Sequence, residues 1–391
     1  MRIIALYLPQ FHNIPENDKW WGKGFTEWTN VKRAIPLFKG HEQPRIPLDG
    51  NYYNLLDDDV KIWQANIAKK YGIYGFCYYH YWFNGKKLLE KPMEQMIVNK
   101  KVDMPFCICW ANEAWTKRWI GDGNTTLISQ TNGGPKDWEL HFNYLIKFFK
   151  DDRYIFIDNK PIIFIYRPEL IDDIEEMLAN WEYLAKKNGL EGICPVAPIK
   201  KINEHSYNTK LFKYLIEYQP SIALNKTISN HDEFNHNMIY SIKSIREKIN
   251  RFIEKKFGRN FNEYDPIYLI KKLFGIHRKL PTIYNYEKIW KNVENKPMFY
   301  NSIPMSFVGW DNTPRFGNNG SLYFGQSIDT FKKYFDIQIK NIKNNYNTDY
   351  LFFFAWNEWA EGSYLEPDEK NEYGYLEAIR DVLVTNNEFP F

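Results

Sequence analysis

The sequence has few cysteines, almost no excess of charge and no long apolar run. Its four cysteines include no CxxC pair and no histidine at zinc-finger spacing, which argues against a disulfide framework or a zinc site. Lys and Arg total 51 against 48 Asp and Glu, a net charge of +3 that argues against a nucleic-acid partner. No apolar run could cross a bilayer, and the first residues do not resemble a signal peptide. These absences predict buried reduced thiols and a cytoplasmic protein.

Aromatic residues, in contrast, are abundant: they make up 18% of the 391 residues and include 14 Trp. Many of them stand beside polar side chains. Sugar-binding sites combine these two residue types, because the C–H patches of a pyranose ring pack on aromatic faces while its hydroxyls need carboxylates, amides or Arg. For any single Trp, a place in a large aromatic core is an equally good explanation.

Short apolar runs alternate with helix-like segments along the chain, a pattern typical of parallel βα units. Eight runs are predicted as strands, at residues 3–8, 75–81, 105–111, 162–166, 192–196, 214–218, 298–305 and 350–356. Helices are predicted from a cap at Asp57 to about Tyr71, from 172 to 187 and from 373 to 384. Eight strands close a barrel, so we predict an α/β protein with one (β/α)8 TIM-barrel domain over residues 1–391.

The alternation fails over residues 221–296, which we predict to be a long helical insertion after about the sixth strand. Within it, residues 242–259 are rich in Lys and Arg and have apolar residues at helical spacing. Such a helix can contact an anionic membrane surface or an acidic glycan, although a solvated helix face is the commoner explanation. Peripheral membrane contact through this insertion is therefore an open alternative.

The active site of a TIM barrel lies where the carboxyl ends of the strands open into loops. Polar and aromatic residues follow several predicted strands directly, and an aromatic loop at residues 17–28 either lines a sugar groove or covers the barrel. Both histidines among these candidates could equally be packed within the aromatic core. The candidate substrate-binding residues from this placement are Tyr7, His12, Trp28, Tyr79, His80, Trp110, Asn112, Glu113, Tyr166, Arg167 and Asn357.

Two carboxylates, Glu358 and Glu361, leave the last predicted strand together. Cleavage of a glycosidic bond needs one carboxyl group that is protonated and one that is ionised, so a pair in differing environments fits this chemistry. The alternative is that Asn357 and Glu358 cap a helix and that Glu361 is a solvated loop acid. The strand-end position favours the catalytic interpretation. No HExxH motif or His/Asp cluster occurs, so neither a metal nor a cofactor is predicted.

At these same residues the chain resembles the WbsX family, which is labelled as glycosyltransferases of O-antigen and capsule clusters and described as similar to glycoside hydrolase family 99. Its motifs are spread over most of the chain. They are YLPQFH at residues 7–12, END at 16–18, GFTEWTNV at 24–31, GFCYYHYWF at 75–83, CWANE at 109–113, YRPEL at 166–170, GWDNTPR at 309–315 and WNEWAEG at 356–362.

The resemblance implies specific roles. Family 99 enzymes are retaining endo-α-mannosidases and endo-α-mannanases with a (β/α) barrel and a Glu-Trp-X-Glu segment, which residues 358–361 match. By this resemblance Glu358 deprotonates the 2-hydroxyl of the sugar and Glu361 is the general acid and base. Glu113 is similar to the family's sugar-binding Glu and Tyr7 to its first-strand Tyr. Trp310 and Asp311, within a shared motif, are predicted to bind substrate.

Three functions remain open at this point. The first is a retaining glycoside hydrolase or transglycosidase that acts on a bacterial surface polysaccharide or its precursor. The second is a nucleotide-sugar glycosyltransferase of O-antigen or capsule synthesis. Such enzymes usually have an Asp-X-Asp metal site, and the only candidate here, Asp57-Asp58-Asp59, is better explained as a helix cap. The third is a glycan-binding barrel without activity, which would not need both acids.

Overall fold

The computed structural model describes residues 1–116, 125–201, 206–226, 280–293 and 296–391. Eight parallel strands form a barrel: β1 (Arg2–Tyr7), β2 (Ile73–Phe83), β3 (Phe106–Trp110), β4 (Lys160–Ile165), β5 (Cys194–Ile199), β6 (Tyr214–Glu217), β7 (Ser302–Phe307) and β8 (Tyr350–Phe354). Because β1 pairs with both β2 and β8, the sheet closes on itself. The predicted TIM barrel is confirmed.

Two strand boundaries differ from the prediction by three or more residues, and the others lie within two residues of it. β5 runs to Ile199 rather than ending at residue 196, because Pro198 interrupts the apolar pattern without ending the strand. β7 begins at Ser302 rather than at residue 298, since the preceding residues form a turn in which the Ser302 N–H donates to the Phe299 carbonyl at 3.1 Å.

The described helices surround the barrel or lie in its loops: α1 (Pro15–Trp21), α2 (Glu27–Arg33), α3 (Asp58–Lys70), α4 (Lys91–Val98), α5 (Pro135–Phe149), α6 (Ile174–Lys187), α7 (Tyr286–Lys291), α8 (Thr313–Phe316), α9 (Ile328–Asn345) and α10 (Gly374–Thr385). The three predicted helices correspond to α3, α6 and α10. Asp57 caps α3, because its carboxylate accepts a hydrogen bond from the Asp59 N–H at 3.0 Å. The Asp triplet therefore begins a helix, as expected.

The predicted insertion at 221–296 lies largely outside the described residues, and its basic segment 242–259 lies entirely outside them. Residues 221–226 are helical, and a short strand at Thr282–Asn285 pairs in parallel with Ser321–Phe324. Trp290 of α7 stacks on Phe307 at 4.5 Å between ring centroids, so α7 packs against the barrel.

The alternation of side chains along each strand decides which residues reach the barrel interior. Phe164 of β4 and Phe352 of β8 meet across the interior, with ring centroids 5.9 Å apart. One layer nearer the carboxyl ends, Tyr218 contacts Tyr166 at 5.7 Å and Phe354 at 5.9 Å. The interior is thus filled by aromatic rings up to a layer that contains tyrosines at the mouth of the barrel.

All four cysteines are free and buried, in agreement with the expectation of buried thiols. Throughout the described part of the chain, helices long and apolar enough to cross a membrane are absent. The cytoplasmic location stays a prediction.

Candidate active site

The mouth of the barrel contains one arginine that contacts three carboxylates. The guanidinium of Arg315 lies 3.1 Å from Glu27 and 3.3 Å from Glu358, and it also forms an ion pair with Glu361. The Arg315 side chain is only 7% exposed, and that of Glu27 is fully buried. Buried ion pairs of this kind keep their geometry only when each charge has partners, so Arg315 fixes both predicted catalytic acids in place.

Glu358 and Glu361 lie on a tight hairpin that directly follows β8. Asn357–Glu358 pairs antiparallel with Ser363–Tyr364, and residues 359–361 form a single turn of 3-10 helix. The helix-capping alternative is therefore wrong, because no α-helix begins here and Glu361 is bound to Arg315 rather than solvated.

Gly362 allows this hairpin to approach the loop that carries Arg315. It adopts a left-handed conformation at φ 60°, and a Cβ atom here would lie 2.8 Å from Cβ of Asp311. The Asp311 N–H donates to the Glu361 carbonyl at 2.6 Å, which joins the two segments. Only glycine combines this backbone conformation with so close an approach.

Asp311 anchors the Arg315 loop from below. Its carboxylate accepts hydrogen bonds from Gln43 at 2.7 Å and from the Thr313 hydroxyl at 2.6 Å, and lies 3.0 Å from His41. Although burial opposes its charge, the hydrogen bond with His41 and the other partners hold the pKa of Asp311 below its usual value. Asp311 is thus an ionised positioning group beneath the site.

A second buried carboxylate, Glu366, supports the hairpin from the other side. It accepts hydrogen bonds from Trp359 at 2.6 Å, Gln64 at 2.6 Å and Tyr53 at 2.8 Å. Burial raises the pKa of Glu366 to about 7 in spite of these donors. Since Trp359 lies between the two catalytic candidates, the Glu366 network orients the turn that presents them.

The two acids of the hairpin have perturbed proton affinities. Burial, together with the negative charge of Glu361, raises the pKa of Glu358 to about 8. Burial also raises the pKa of Glu361, against the effect of Arg315. Because the two acids interact closely, they titrate as a pair, and the pair as a whole keeps one proton near neutral pH.

A second ion-pair group lies at the ends of β3 and β4. Arg167 forms ion pairs with both Glu113 and Glu169. Asn112 joins the two strand ends, since its side chain accepts from the Arg167 N–H at 2.8 Å and donates to the Arg167 carbonyl at 2.7 Å. The Glu113 side chain is 43% exposed, so its second oxygen is available to a sugar hydroxyl.

Aromatic side chains surround these charges. Tyr79 contacts Tyr166 at 6.2 Å between ring centroids. Burial and the charge of Glu358 raise the pKa of Tyr81. Half-buried Trp115 contacts Tyr81 at 5.1 Å and Trp20 at 5.8 Å, so indole faces stand at the edge of the mouth.

Tyr79, Glu113, Tyr166, Arg167 and half-buried Trp310 lie at the mouth with Glu358 and Glu361. The other predicted substrate-binding residues are buried at positions that do not open to it. Tyr7 faces the helix layer, where its hydroxyl donates to Gln64 at 2.6 Å. His80 lies 2.9 Å from His141, and Trp110 packs against the same imidazole, with centroids 4.8 Å apart.

Three further predicted residues also have structural contacts. Asn357 binds both the N–H and the carbonyl of Leu8, at 2.7 and 3.0 Å, and so joins β8 to the end of β1. Trp28 belongs to α2 rather than to a loop, and its indole N–H donates to the Tyr53 carbonyl at 2.8 Å. His12 is fully buried, and burial lowers its pKa to about 4. With Asn112 and Asp311 these residues position the site, and their direct contact with substrate stays a prediction.

The predicted aromatic loop at residues 17–28 is not a continuous loop. Residues 17–21 belong to α1, and α2 begins at Glu27, with Thr26 as its N-cap. Acidic Glu16 and Asp18 in the first turn of α1, Lys19 in its last turn and the Thr26 cap of α2 are the helix signals that the abundance of Trp obscured. The segment brings Glu27 to Arg315.

The family profile described as Glycosyltransferase WbsX matches residues 3–379. The chain belongs to the WbsX family. The WxcX proteins of two strains of Xanthomonas campestris pv. campestris are 32% identical to it over 384 residues, which is 97% of this chain and 49% of theirs. The chain therefore spans about half the length of these curated relatives.

Solved structures share the fold of this WbsX chain. The endo-α-mannosidase of glycoside hydrolase family 99 from Bacteroides thetaiotaomicron aligns with a TM-score of 0.52 and 12% identity, over 99% of this chain and 97% of that one. A glycoside hydrolase-like protein aligns with a TM-score of 0.53 and 10% identity, over 97% and 93%. At this identity the likeness concerns the barrel alone.

Sequence reasoning missed several members of this WbsX site. Glu27 and Arg315 were visible only as parts of motifs, and 288 residues separate them. Tyr81 lies on β2, from which Tyr79 and His80 were selected, whereas Tyr218 directly follows β6, from which no residue was selected. Lys200 follows β5, whose prolines hid the end of the strand. Within the described ranges, no cluster of three His, Cys, Asp or Glu side chains could hold a metal ion.

Removal of the Arg315 charge should destabilise the fold. We expect Arg315→Gln to lower the free energy of unfolding by about 3–5 kcal/mol at neutral pH, because buried carboxylates lose their cation. The loss should shrink as pH falls, since protonation of the carboxylates removes the uncompensated charge. Denaturant titrations of the variant and the wild type at neutral and at acidic pH measure this loss of stability.

Glu27→Gln in the Arg315→Gln background is the matched control. It should cost less stability there than in the wild type, because it removes a carboxylate that no longer has a partner. Equal costs in both backgrounds, with no dependence on pH, would contradict the ion-pair account.

Proposed function

We propose that this chain is a retaining carbohydrate-active enzyme, a glycoside hydrolase or transglycosidase, which acts on a bacterial surface polysaccharide or its precursor. The observation that carries the proposal is the acid pair. Glu358 and Glu361 are held by one buried arginine at the carboxyl end of a closed barrel, where burial favours their protonated forms. Paired carboxyl groups with shifted pKa values are what cleavage of a glycosidic bond requires.

The proposed reaction has two steps, in line with the resemblance to family 99. First, ionised Glu358 takes the proton of the sugar's 2-hydroxyl, whose oxygen attacks the anomeric carbon and displaces the leaving oxygen. Glu361 gives its proton to that oxygen, which leaves a 1,2-anhydro sugar. In the second step Glu361 takes a proton from the acceptor hydroxyl, which opens the three-membered ring at the anomeric carbon, and Glu358 returns its proton to O2. Two inversions give overall retention.

The electrostatics favour these roles. A sugar hydroxyl is a very weak acid, so its deprotonation needs a carboxylate of unusually high basicity. Burial and the neighbouring Glu361 give Glu358 this basicity by raising its pKa to about 8, and the reactive form of the pair is the one whose single proton lies on Glu361. Arg315 lies against both acids and stabilises the negative charge as it moves between them.

Transfer to a sugar acceptor is a second candidate, favoured by the description of the family as glycosyltransferases. In the same site it would differ from hydrolysis only in the acceptor of the second step, a sugar hydroxyl instead of water. The mannosidase name of the structural neighbour suggests a reaction type for this chain rather than a sugar. A binding protein without activity would not need two buried acids.

Substitution of each acid tests the proposal. On oligosaccharides released from the producing cell's own surface polysaccharide, Glu358→Gln and Glu361→Gln should each lower kcat/KM by about 10²–10⁴-fold. On the matching glycosyl fluoride, whose leaving group needs no proton, the first step should persist in Glu361→Gln and be lost in Glu358→Gln.

Chromatography of the released products measures the activity on both the oligosaccharides and the glycosyl fluoride. Glu369→Gln is the control, since this acid is exposed on the surface eight positions after Glu361. Full activity of both site variants on the oligosaccharides would exclude the proposed acid pair.

The pH dependence of kcat/KM should be bell-shaped, because one acid must be ionised while the other is protonated. With the pKa of Glu358 raised to about 8, the pair loses its last proton near pH 8 and activity falls above it. On the acid side the pair gains its second proton above the ordinary Glu pKa of about 4.5, so activity falls there too. Initial rates measured from acidic pH to above pH 8 test this prediction. A kcat/KM that stays constant through pH 8 would contradict the scheme.

A further inference from the structure

Lys200 occupies the inward face of the barrel directly after β5. The register pairs Pro198 with Ile216, so Lys200 falls on the same face as Tyr218, two residues further along each strand. Its ammonium nitrogen lies 3.8 Å from the ring centroid of Tyr166 and 5.6 Å from that of Tyr218. The cation therefore stands at the mouth, above the tyrosine rings.

No carboxylate in the described ranges lies within ion-pair distance of this ammonium. Its nearest polar contact is the Tyr166 carbonyl, at a long 3.5 Å. The carboxylates nearby, Glu113 and Glu169, are both bound to Arg167. Burial and, after it, the like charge of Arg167 lower the pKa of Lys200 to about 8, although Glu113 and Glu169 act in the opposite direction.

A cation that is partly removed from water without an anion is costly. The tyrosine faces offset part of this cost and hold the side chain in place, as cation–π contacts do. They also leave its N–H donors free to bind an oxyanion. A neutral polysaccharide offers no such group, whereas an acidic one does.

We propose that Lys200 binds an anionic substituent of the substrate, so that the glycan acted on is acidic. The inference rests on the proposed function, because it assigns the substrate class of that same site. The substituent is an oxyanion, either the carboxylate of a uronic acid or of a pyruvyl ketal, or a phosphate. Lys200 would fix the acidic sugar near Glu113.

A glycan array with matched pairs tests this proposal without knowledge of the natural substrate. Uronic-acid, pyruvylated and phosphorylated oligosaccharides are each printed beside a counterpart that is carboxyl-reduced, depyruvylated or dephosphorylated. The full chain carrying Glu358→Gln is used, so that bound glycans are not consumed. We expect it to bind at least one acidic glycan about 10–100-fold more tightly than its neutral counterpart. The type of pair that responds identifies the anion.

Three variants in the same background assign this preference to Lys200. Lys200→Met should abolish it, Lys200→Arg should retain most of it, and Lys201→Met, at the exposed neighbouring position, should leave it unchanged. Unfolding curves show whether each variant is folded, and retention in Lys200→Arg separates a role of the charge from one of packing.

Equal binding of acidic and neutral members, absence of any bound acidic glycan, or a preference that survives Lys200→Met would overturn the inference. Because binding is measured, failure here is distinct from failure of the proposed reaction. An enzyme whose acid pair is essential for turnover of a neutral glycan would keep the proposed function and lose the acidic substrate. If the wild type bound acidic glycans but turned none of them over, the acidic ligand would be kept and the proposed function would be lost.

Discussion

The contact of Arg315 with three carboxylates, buried Glu27 and Glu358 and half-buried Glu361, is the interaction on which the rest of the site depends. One positive charge cannot balance three negative ones, so burial still drives the acids to hold protons. Without the arginine, mutual repulsion would separate Glu358 from Glu361; with a second cation, both acids would be fully ionised. A single guanidinium binds both acids while leaving the pair a proton, as the proposed reaction requires.

Much of the surrounding structure maintains this contact. Asp311 anchors the loop that carries Arg315, and Glu366 holds the indole between the two catalytic candidates. Gly362 permits the hairpin and the loop to meet. Asn357, which was predicted to bind substrate, joins the ends of two strands. The site is thus rigid on the side of the acids, while Glu113, Arg167 and Lys200 form a more exposed side that is suited to recognition.

The barrel could be predicted from sequence because each strand is a short apolar run that ends in polar residues. The positions of Glu358 and Glu361 followed from the same pattern. Successive side chains of a strand point to opposite faces, so alternation along β2 would have identified Tyr79 as inward and His80 as outward. Selection by position near the strand end alone does not distinguish them. Arg315 and Glu27 could not be placed, because contacts between residues 288 apart leave no local periodicity. The prolines of β5 prevented the prediction of where this strand ends, so Lys200 was not recognised as a strand-end residue. The proposal of an acidic substrate depends on the contacts of Lys200 with the tyrosine rings, which the sequence does not show.

The central claim is that the acid pair carries out a substitution with retention, through the substrate's own 2-hydroxyl. Proton NMR of the first-formed product tests it most directly, because the anomeric signal reports configuration before the sugar mutarotates. With an oligosaccharide that the wild-type chain cleaves or transfers, the account predicts that the new anomeric centre has the configuration of the bond that was broken. A product that first appears with the opposite configuration would contradict it.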